Sequence, residues 1–202
     1  MAFDYTTSAN VFAYLNSAGT ATDPVNESAV MGQLVTGMSR ALDVYCNQQF
    51  SQASYSAQQL RAVVDVEGAL TCYPTVPTMS APSAAAYRLG NSSSWVDLST
   101  AQLDVEENSF GCVVRTLDQN FLAQRGGRLL MRLSYTGGWA NLAAVPGDFE
   151  WAMRRLCGWA YKKREAPIEK TAIPEMGVLI IPSSWPKDLR ESFRSYVRQV
   201  PM

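Results

Sequence analysis

An apolar repeat at helical spacing runs from Pro24 to about Asn47 and then ends abruptly. Val30, Met31, Leu34, Val35, Met38, Leu42 and Tyr45 recur at steps of three and four, which puts them on one face of an amphipathic helix. Asp23-Pro24 supplies its start, a capping residue followed by proline at the first helical position. From residue 50 the periodicity turns β-like, and from Pro146 it is helical again. The expected fold is therefore α+β: a small helical bundle of three to four helices with an inserted antiparallel β-sheet region. The helical parts span 8–48 and 147–200, the β region spans 51–135, and all 202 residues belong to one domain.

Residues 8–16 read as a short helix capped by Ser8, with Val11, Phe12 and Leu15 on its apolar face. Gly32 and Gly37 weaken the long helix and allow close approach of another helix, either within the subunit or from a neighbour. The β-like runs are 61–66, 69–73, 86–89, 103–106, 111–117 and 128–135, separated by turn residues. In the last run Leu129, Met131, Leu133 and Tyr135 alternate with Leu130, Arg132 and Ser134. The Ser/Ala/Pro-rich stretch 78–86 reads as an exposed loop. A helix opening at Pro146-Gly147-Asp148 carries the stripe Phe149, Ala152, Met153, Leu156, Trp159 and Ala160, with Lys162, Lys163 and Arg164 at the negative end of its dipole. Residues 165–177 form a loop, Val178-Leu179-Ile180-Ile181 is a short apolar run, and a final helix begins around Ser184, with Leu189, Phe193, Tyr196 and Val197 on one face.

The residue inventory removes most catalytic chemistry. The chain has no histidine, so nucleophile–His pairs and triads are excluded. Cys46, Cys72, Cys112 and Cys157 include no C-x-x-C pair, which argues against zinc and for reduced, buried, small apolar side chains. Arg125-Gly126-Gly127-Arg128 and Gly137-Gly138 lack the flanks of a phosphate loop and read as turns. The acid pairs Asp65/Glu67 and Glu106/Glu107 read as solvated surface carboxylates. No cofactor is expected. No apolar run reaches the ~20 residues of a membrane span, and neither a secretory signal nor a membrane contact is expected.

Net charge is −1, which argues against a dedicated DNA binder, but the charge is unevenly distributed. Residues 1–150 hold 7 Arg, no Lys and 13 acids, a net of −6, whereas residues 151–202 hold 10 Lys and Arg against 5 acids, a net of +5. This split either orients a subunit against partners of unlike charge or leaves a basic helix surface facing water. Trp139, Trp151, Trp159, Tyr161 and Trp185 cluster in the basic third. Such interleaving suits either nucleic-acid stacking or a core built from Trp139 and Trp159, on which Tyr161 and Trp185 rest; exposed members would anchor an interface.

Two motifs carry more information. The first is Ser39-Arg40-x-Leu42-Asp43-x-Tyr45-Cys46-x-x-x-Phe50 at the end of the long helix. The second is Leu133-x-Tyr135-Thr136-x-Gly138-Trp139, followed by Val145-Pro146 at a helix start. With the opening Tyr5-Thr6-Thr7-Ser8 and the loosely matching close Ser195-Tyr196-Val197-Arg198, their order resembles the head–tail connector (adaptor) proteins of long-tailed bacteriophages. The resemblance covers nearly the whole chain, although residues 51–130 carry little of it. Arg40, Asp43, Tyr45, Phe50, Tyr135, Gly138, Trp139 and Pro146 are then scaffold: Tyr45 and Phe50 would lock the helix end onto the sheet, and Arg40/Asp43 would fix its angle.

The resemblance implies a structural, non-enzymatic virion protein, located in the neck and in host cytoplasm during assembly. It implies a homo-oligomeric ring, dodecameric in the family, that docks on a portal protein, meets a stopper or tail-completion protein, and passes double-stranded DNA without sequence-specific binding. Glu106, Glu107 and Asp118 are expected to face the lumen. Residues 165–186, including Val178, Leu179, Ile180, Ile181 and Trp185, are expected to form a partner-docking arm. The rival readings are another neck or tail-completion protein, a nucleic-acid-binding packaging accessory using the basic C-terminal third, and an enzyme of unknown type.

Overall fold

The structure is a computed structural model, and it describes residues 3–20, 22–90, 92, 94–108, 111–118, 120–124, 128–165 and 185–198. The chain divides into two compact units. One is helical, from residues 3–46 and 141–195; the other is built on β-structure, from residues 47–140 together with the chain ends. The α+β expectation holds. The sheet, however, is no small insertion in a bundle: it has seven strands, all antiparallel, in the order β4-β3-β7-β1-β2-β6-β5.

In the helical unit α1 spans Ser8–Ser17, α2 Ser28–Cys46, α3 Gly147–Glu165 and α4 Lys187–Ser192. The cap of α1 is Thr7 rather than Ser8, its side chain accepting from Asn10 N. Asp23 does start the next segment: Oδ1 accepts Val25 N and Asn26 N, and the turn this creates runs into α2 four residues beyond Pro24. α2 stops where Asn47 enters the left-handed region at φ 52°, a C-terminal conformation asparagine tolerates. Helix α3 packs against the other three; it buries Phe149, Met153, Leu156 and Cys157, while α1 buries Val11 and Leu15 and α2 buries Met31 and Leu42. Close approach falls at Gly158, where a Cβ would lie 2.8 Å from the Tyr14 ring. At Gly32 the nearest atom would be 3.9 Å away, and Gly37 faces open space. The final helix is shorter than its apolar spacing suggests: α4 ends at Ser192 and residues 194–196 form a 3-10 turn.

In the β unit, β1 spans Ala53–Val64, β2 Leu70–Cys72, β3 Ala84–Leu89, β4 Val96–Leu98, β5 Leu103–Asn108, β6 Gly111–Thr116 and β7 Leu129–Gly137. The clean alternation of β7 marks the strand that organises the sheet, with β3 on one side and β1 on the other. Its inward residues Leu129, Met131, Leu133 and Tyr135 join Leu60, Leu70, Val76, Val114 and Phe121 in one core. Leu98 from one end of the sheet and Leu103 and Val105 from the other pack on that same core, so the sheet curls around its own interior. A bulge between Tyr55 and Gln58 accommodates Ala57 at φ 52°, and Ser134 Oγ accepts the Ala57 N–H at 3.0 Å.

Candidate functional site

The motif residues assemble into two clusters, one in each unit. In the helical unit the chain's opening segment lies along α2. Arg40 Nη2 donates to Phe3 O at 2.6 Å, Arg40 pairs with Asp43 at 3.0 Å, and the Tyr5 hydroxyl donates to the other Asp43 oxygen. Tyr5 N reaches the fully buried Ser39 Oγ at 3.3 Å, and the Arg40 guanidinium sits 5.4 Å from the Tyr5 ring centroid. Arg40 and Asp43 therefore tie the opening segment to α2. Edge-on aromatic contacts extend the cluster from Tyr5 to Phe149 at 5.7 Å and from Phe149 to Phe193 at 5.5 Å; Trp185 then meets Phe193 at 6.3 Å and Tyr45 at 5.1 Å. The aromatic partner of Tyr45 thus lies in its own helical unit, not on the sheet.

The β unit holds the second cluster. Phe50 stacks on Trp139 with ring centroids 4.9 Å apart, and Tyr196 meets both rings edge-on at 6.3 and 6.4 Å. Trp139 N donates to Phe50 O at 2.6 Å and Gln52 N donates to Trp139 O at 2.9 Å. The close approach needs a glycine beside Trp139: Gly138 has φ 95°, and a Cβ there would stand 2.7 Å from Ser51 O. Gln48 Nε2 donates to Tyr196 O at 2.8 Å, and Arg198 donates to Tyr73 O. Burial lowers the Arg198 pKa, with Tyr135 and Cys72 acting in the opposite sense. Tyr135 stacks on Tyr55 at 4.7 Å and donates to Gln58 Oε1, and burial pushes its phenol pKa upward. Pro146 precedes α3, and its carbonyl accepts Glu150 N at 2.9 Å.

The three acids expected at a lumen sit differently from one another. Glu106 is exposed on the outer face of β5. Glu107 lies on the same strand, with Oε1 accepting Met79 N at 3.2 Å. Asp118 is half-buried, its carbonyl accepting from Thr116 Oγ1 and its carboxylate from Asn120. Asp65 and Glu67 occupy the β1–β2 turn and grip Arg115, whose pKa is raised chiefly by the Glu67 hydrogen bond. Val178, Leu179, Ile180 and Ile181 lie outside the described residues, as does most of 165–186, whereas the Trp185 indole is 2% exposed. Among the other aromatics, Tyr161 is buried, Trp159 is half-buried beneath Lys163 and Trp151 is exposed, so Trp159 and Tyr161 exchange the places their spacing suggests.

All four cysteines are free and buried, and burial raises their pKa values, that of Cys112 to about 12. Among the described residues no group of three or more His, Cys, Asp or Glu is placed to hold a metal ion, and no helix is long and apolar enough to cross a membrane. A shallow pocket in the helical unit is lined by Tyr14, Arg155, Trp159, Lys162 and Asp188, with Arg155 paired to Asp188 at 2.5 Å. It holds no nucleophile–base pair, and its chemistry is that of a solvated surface recess.

No protein-family model and no curated protein matches the chain. Among solved structures it is similar to a chain from the neck of an empty GTA particle computed with C6 symmetry, at 16% identity over 100% of this chain and 97% of that one, with a TM-score of 0.48. It is also similar to a chain from the virion of a native gene transfer agent (GTA) particle, at 15% identity over 84% of this chain and 78% of that one, with a TM-score of 0.40. Likeness at this level assigns no role to the chain.

Proposed function

We propose that this chain is a structural subunit of a phage-type neck, a head–tail connector that forms a ring below the portal, extends the DNA channel and receives a stopper or tail-completion protein. The observation that carries the reading is the aromatic trio Phe50–Trp139–Tyr196. These residues belong to three motif segments that the resemblance identifies far apart in sequence. Their meeting in one cluster supports reading the motifs as parts of one scaffold. The same argument applies to Tyr5, Arg40 and Asp43. Nothing in these clusters is reactive chemistry, and a protein that acts by shape needs none.

In this reading Glu106 presents a negative charge to DNA in the channel and repels its phosphates, while Glu107 and Asp118 combine that position with local hydrogen bonds. Residues 165–186 act as the portal-docking arm, although Trp185 at its end is buried against Tyr45 and Phe193 and is not offered to the portal. The test is a tagged pull-down from a lysate producing the parent particles, with stoichiometry measured by mass spectrometry. A portal-like protein recovered with at least one copy of this chain per portal subunit is the expected result. Recovery of tail proteins alone would move the chain to another neck or tail-completion role. Recovery of nucleic acid without virion proteins would overturn the proposal in favour of a packaging accessory.

A further inference from the structure

The outer face of the sheet carries a separation of charge of which the ring reading uses only Glu106. Cross-strand register places Arg61 of β1 and Arg88 of β3 on either side of Leu130, with Arg132 one side-chain repeat along β7. The Arg88 and Arg132 guanidinium carbons lie 4.7 and 4.8 Å from the Trp95 ring centroid, so two cations share one indole. Among the described residues none of these three arginines has a carboxylate partner, and the buried Nε of Arg88 has no acceptor. Asp97 of β4 opposes Ala86 on this face but makes no ion pair with any of the three, and three cations against one acid leave the face net positive; holding like charges together is unfavourable, and a cation–π contact returns only about 0.5–2 kcal/mol. The face is therefore set up for an anionic partner.

The same sheet supplies the complementary surface at its other end. Edge strand β5 projects Asp104 and Glu106 outward: they oppose Arg115 and Val113, while Val105 opposes the core residue Val114. Arg115 is already held by Asp65 and Glu67, so the two β5 carboxylates are left unbalanced. Four strand steps separate β7 from β5, about 19 Å along the sheet at ~4.8 Å per step. Among the described residues no ion pair joins the two surfaces within one molecule. Two carboxylates one alternate-residue step apart on β5, ~7 Å, match the step between Arg132 and the row of Arg61 and Arg88.

We propose that the arginine face of β3, β7 and β1 receives the β5 edge of a second copy of this chain, head to tail. Different patches meet, so the contact is heterologous and propagates, closing into a ring where the rotation permits. Only that closure rests on the connector reading; the pairing itself stands on the charge pattern, and where it forms Glu106 lies at the contact between copies instead of on the channel wall.

The test uses full-length Arg132→Lys protein, which keeps the charge and adds an amine, mixed as 14N- and 15N-labelled copies at high concentration and low salt. Carbodiimide joins carboxylates to amines in direct contact. The expected product is an isotope-mixed crosslink from residue 132 to Asp104 or Glu106, lost in high salt. As a second measurement, Arg88→Glu with Arg132→Glu, and Asp104→Arg with Glu106→Arg, should each be monomeric in sedimentation and associate when mixed, with circular dichroism confirming that both fold. Absence of the crosslink, or crosslinks between copies that map elsewhere, would overturn the proposal. So would oligonucleotide binding abolished by Arg88→Glu with Arg132→Glu, which would make the face a phosphate site. If the pull-down recovers a portal-like protein while the crosslink fails, the connector reading stands and this contact falls.

Discussion

Gly138 shows how one residue can decide a junction. Its φ of 95° and the carbonyls of Phe50 and Ser51 leave no room for a Cβ, so Gly138→Ala should cost at least about 2 kcal/mol. A urea midpoint unchanged within error would contradict that geometry. The buried thiols give a second prediction. Cys112 is pushed up to about 12 by burial, and Cys72 is raised for the same reason. A pKa raised on folding contributes stability that is complete below the unfolded value and is lost as pH climbs toward the folded one. The urea midpoint should therefore fall between pH 7.5 and pH 10, with no native-state thiol alkylation at pH 7.5. Rapid alkylation of the folded protein would contradict the burial. That the cysteines behave as apolar residues was legible from their spacing and the missing histidine; the Gly138 clash was not, because it depends on a backbone approaching from about 90 residues away.

At the scale of the element, α2 is where sequence and structure agree most closely, since a helix is specified by its own spacing and ends. Of its two glycines, Gly32 faces α1, with Ser8 Oγ 3.9 Å from the point a Cβ would occupy, whereas Gly37 faces no helix in this subunit. Gly37 is exposed, and nothing lies within 4 Å of the point a Cβ would occupy, so Gly37→Ala should raise stability by about 0.5–1 kcal/mol. A fall in thermal midpoint would show that the free space is not there. If the stabilised variant then fails to assemble, the glycine serves a neighbouring subunit. On the same helix Asp43 accepts from both Tyr5 and Arg40. Asp43→Ala should cost about 1–3 kcal/mol through the unsatisfied partners and deprotect the amides of residues 3–5 in hydrogen exchange. Strands were less legible than helices. Residues 54–59 of β1, Ser-Tyr-Ser-Ala-Gln-Gln, are mostly polar and largely uncovered, so no alternation marks them. The three residues of β4 are too few to show a period.

For the molecule as a whole, the chain's final described residues return to the β unit. Tyr196 covers Phe50 and Trp139, and Arg198 donates to the Tyr73 carbonyl. Deleting residues 196–202 should expose the Phe50–Trp139 stack, shift tryptophan fluorescence to the red and lower the unfolding midpoint by several degrees. A truncated protein with the wild-type spectrum and midpoint would show that the tail is not a structural seal. The charge split between residues 1–150 and 151–202 describes the chain only coarsely, because within the first part the sheet sorts most of its charges, arginines on β1, β3 and β7 and acids on β5, with Asp97 on β4 and Arg115 on β6 outside that division.

By itself the sequence determined what is local: four helical segments, most of the strands, the buried character of the cysteines, the lack of nucleophile–His chemistry, and the motif order that resembles connector proteins. Periodicity, caps and composition are properties of neighbouring residues, and they can be read in one dimension. The tertiary structure decided what is non-local. It placed β7 between β3 and β1, turned the expected small insertion into a seven-stranded sheet around its own core, joined Phe50, Trp139 and Tyr196, and separated the arginine face from the acidic edge. Strand order, register and side-chain meetings across a hundred residues arise from which surfaces can be buried together, and no local pattern encodes that choice.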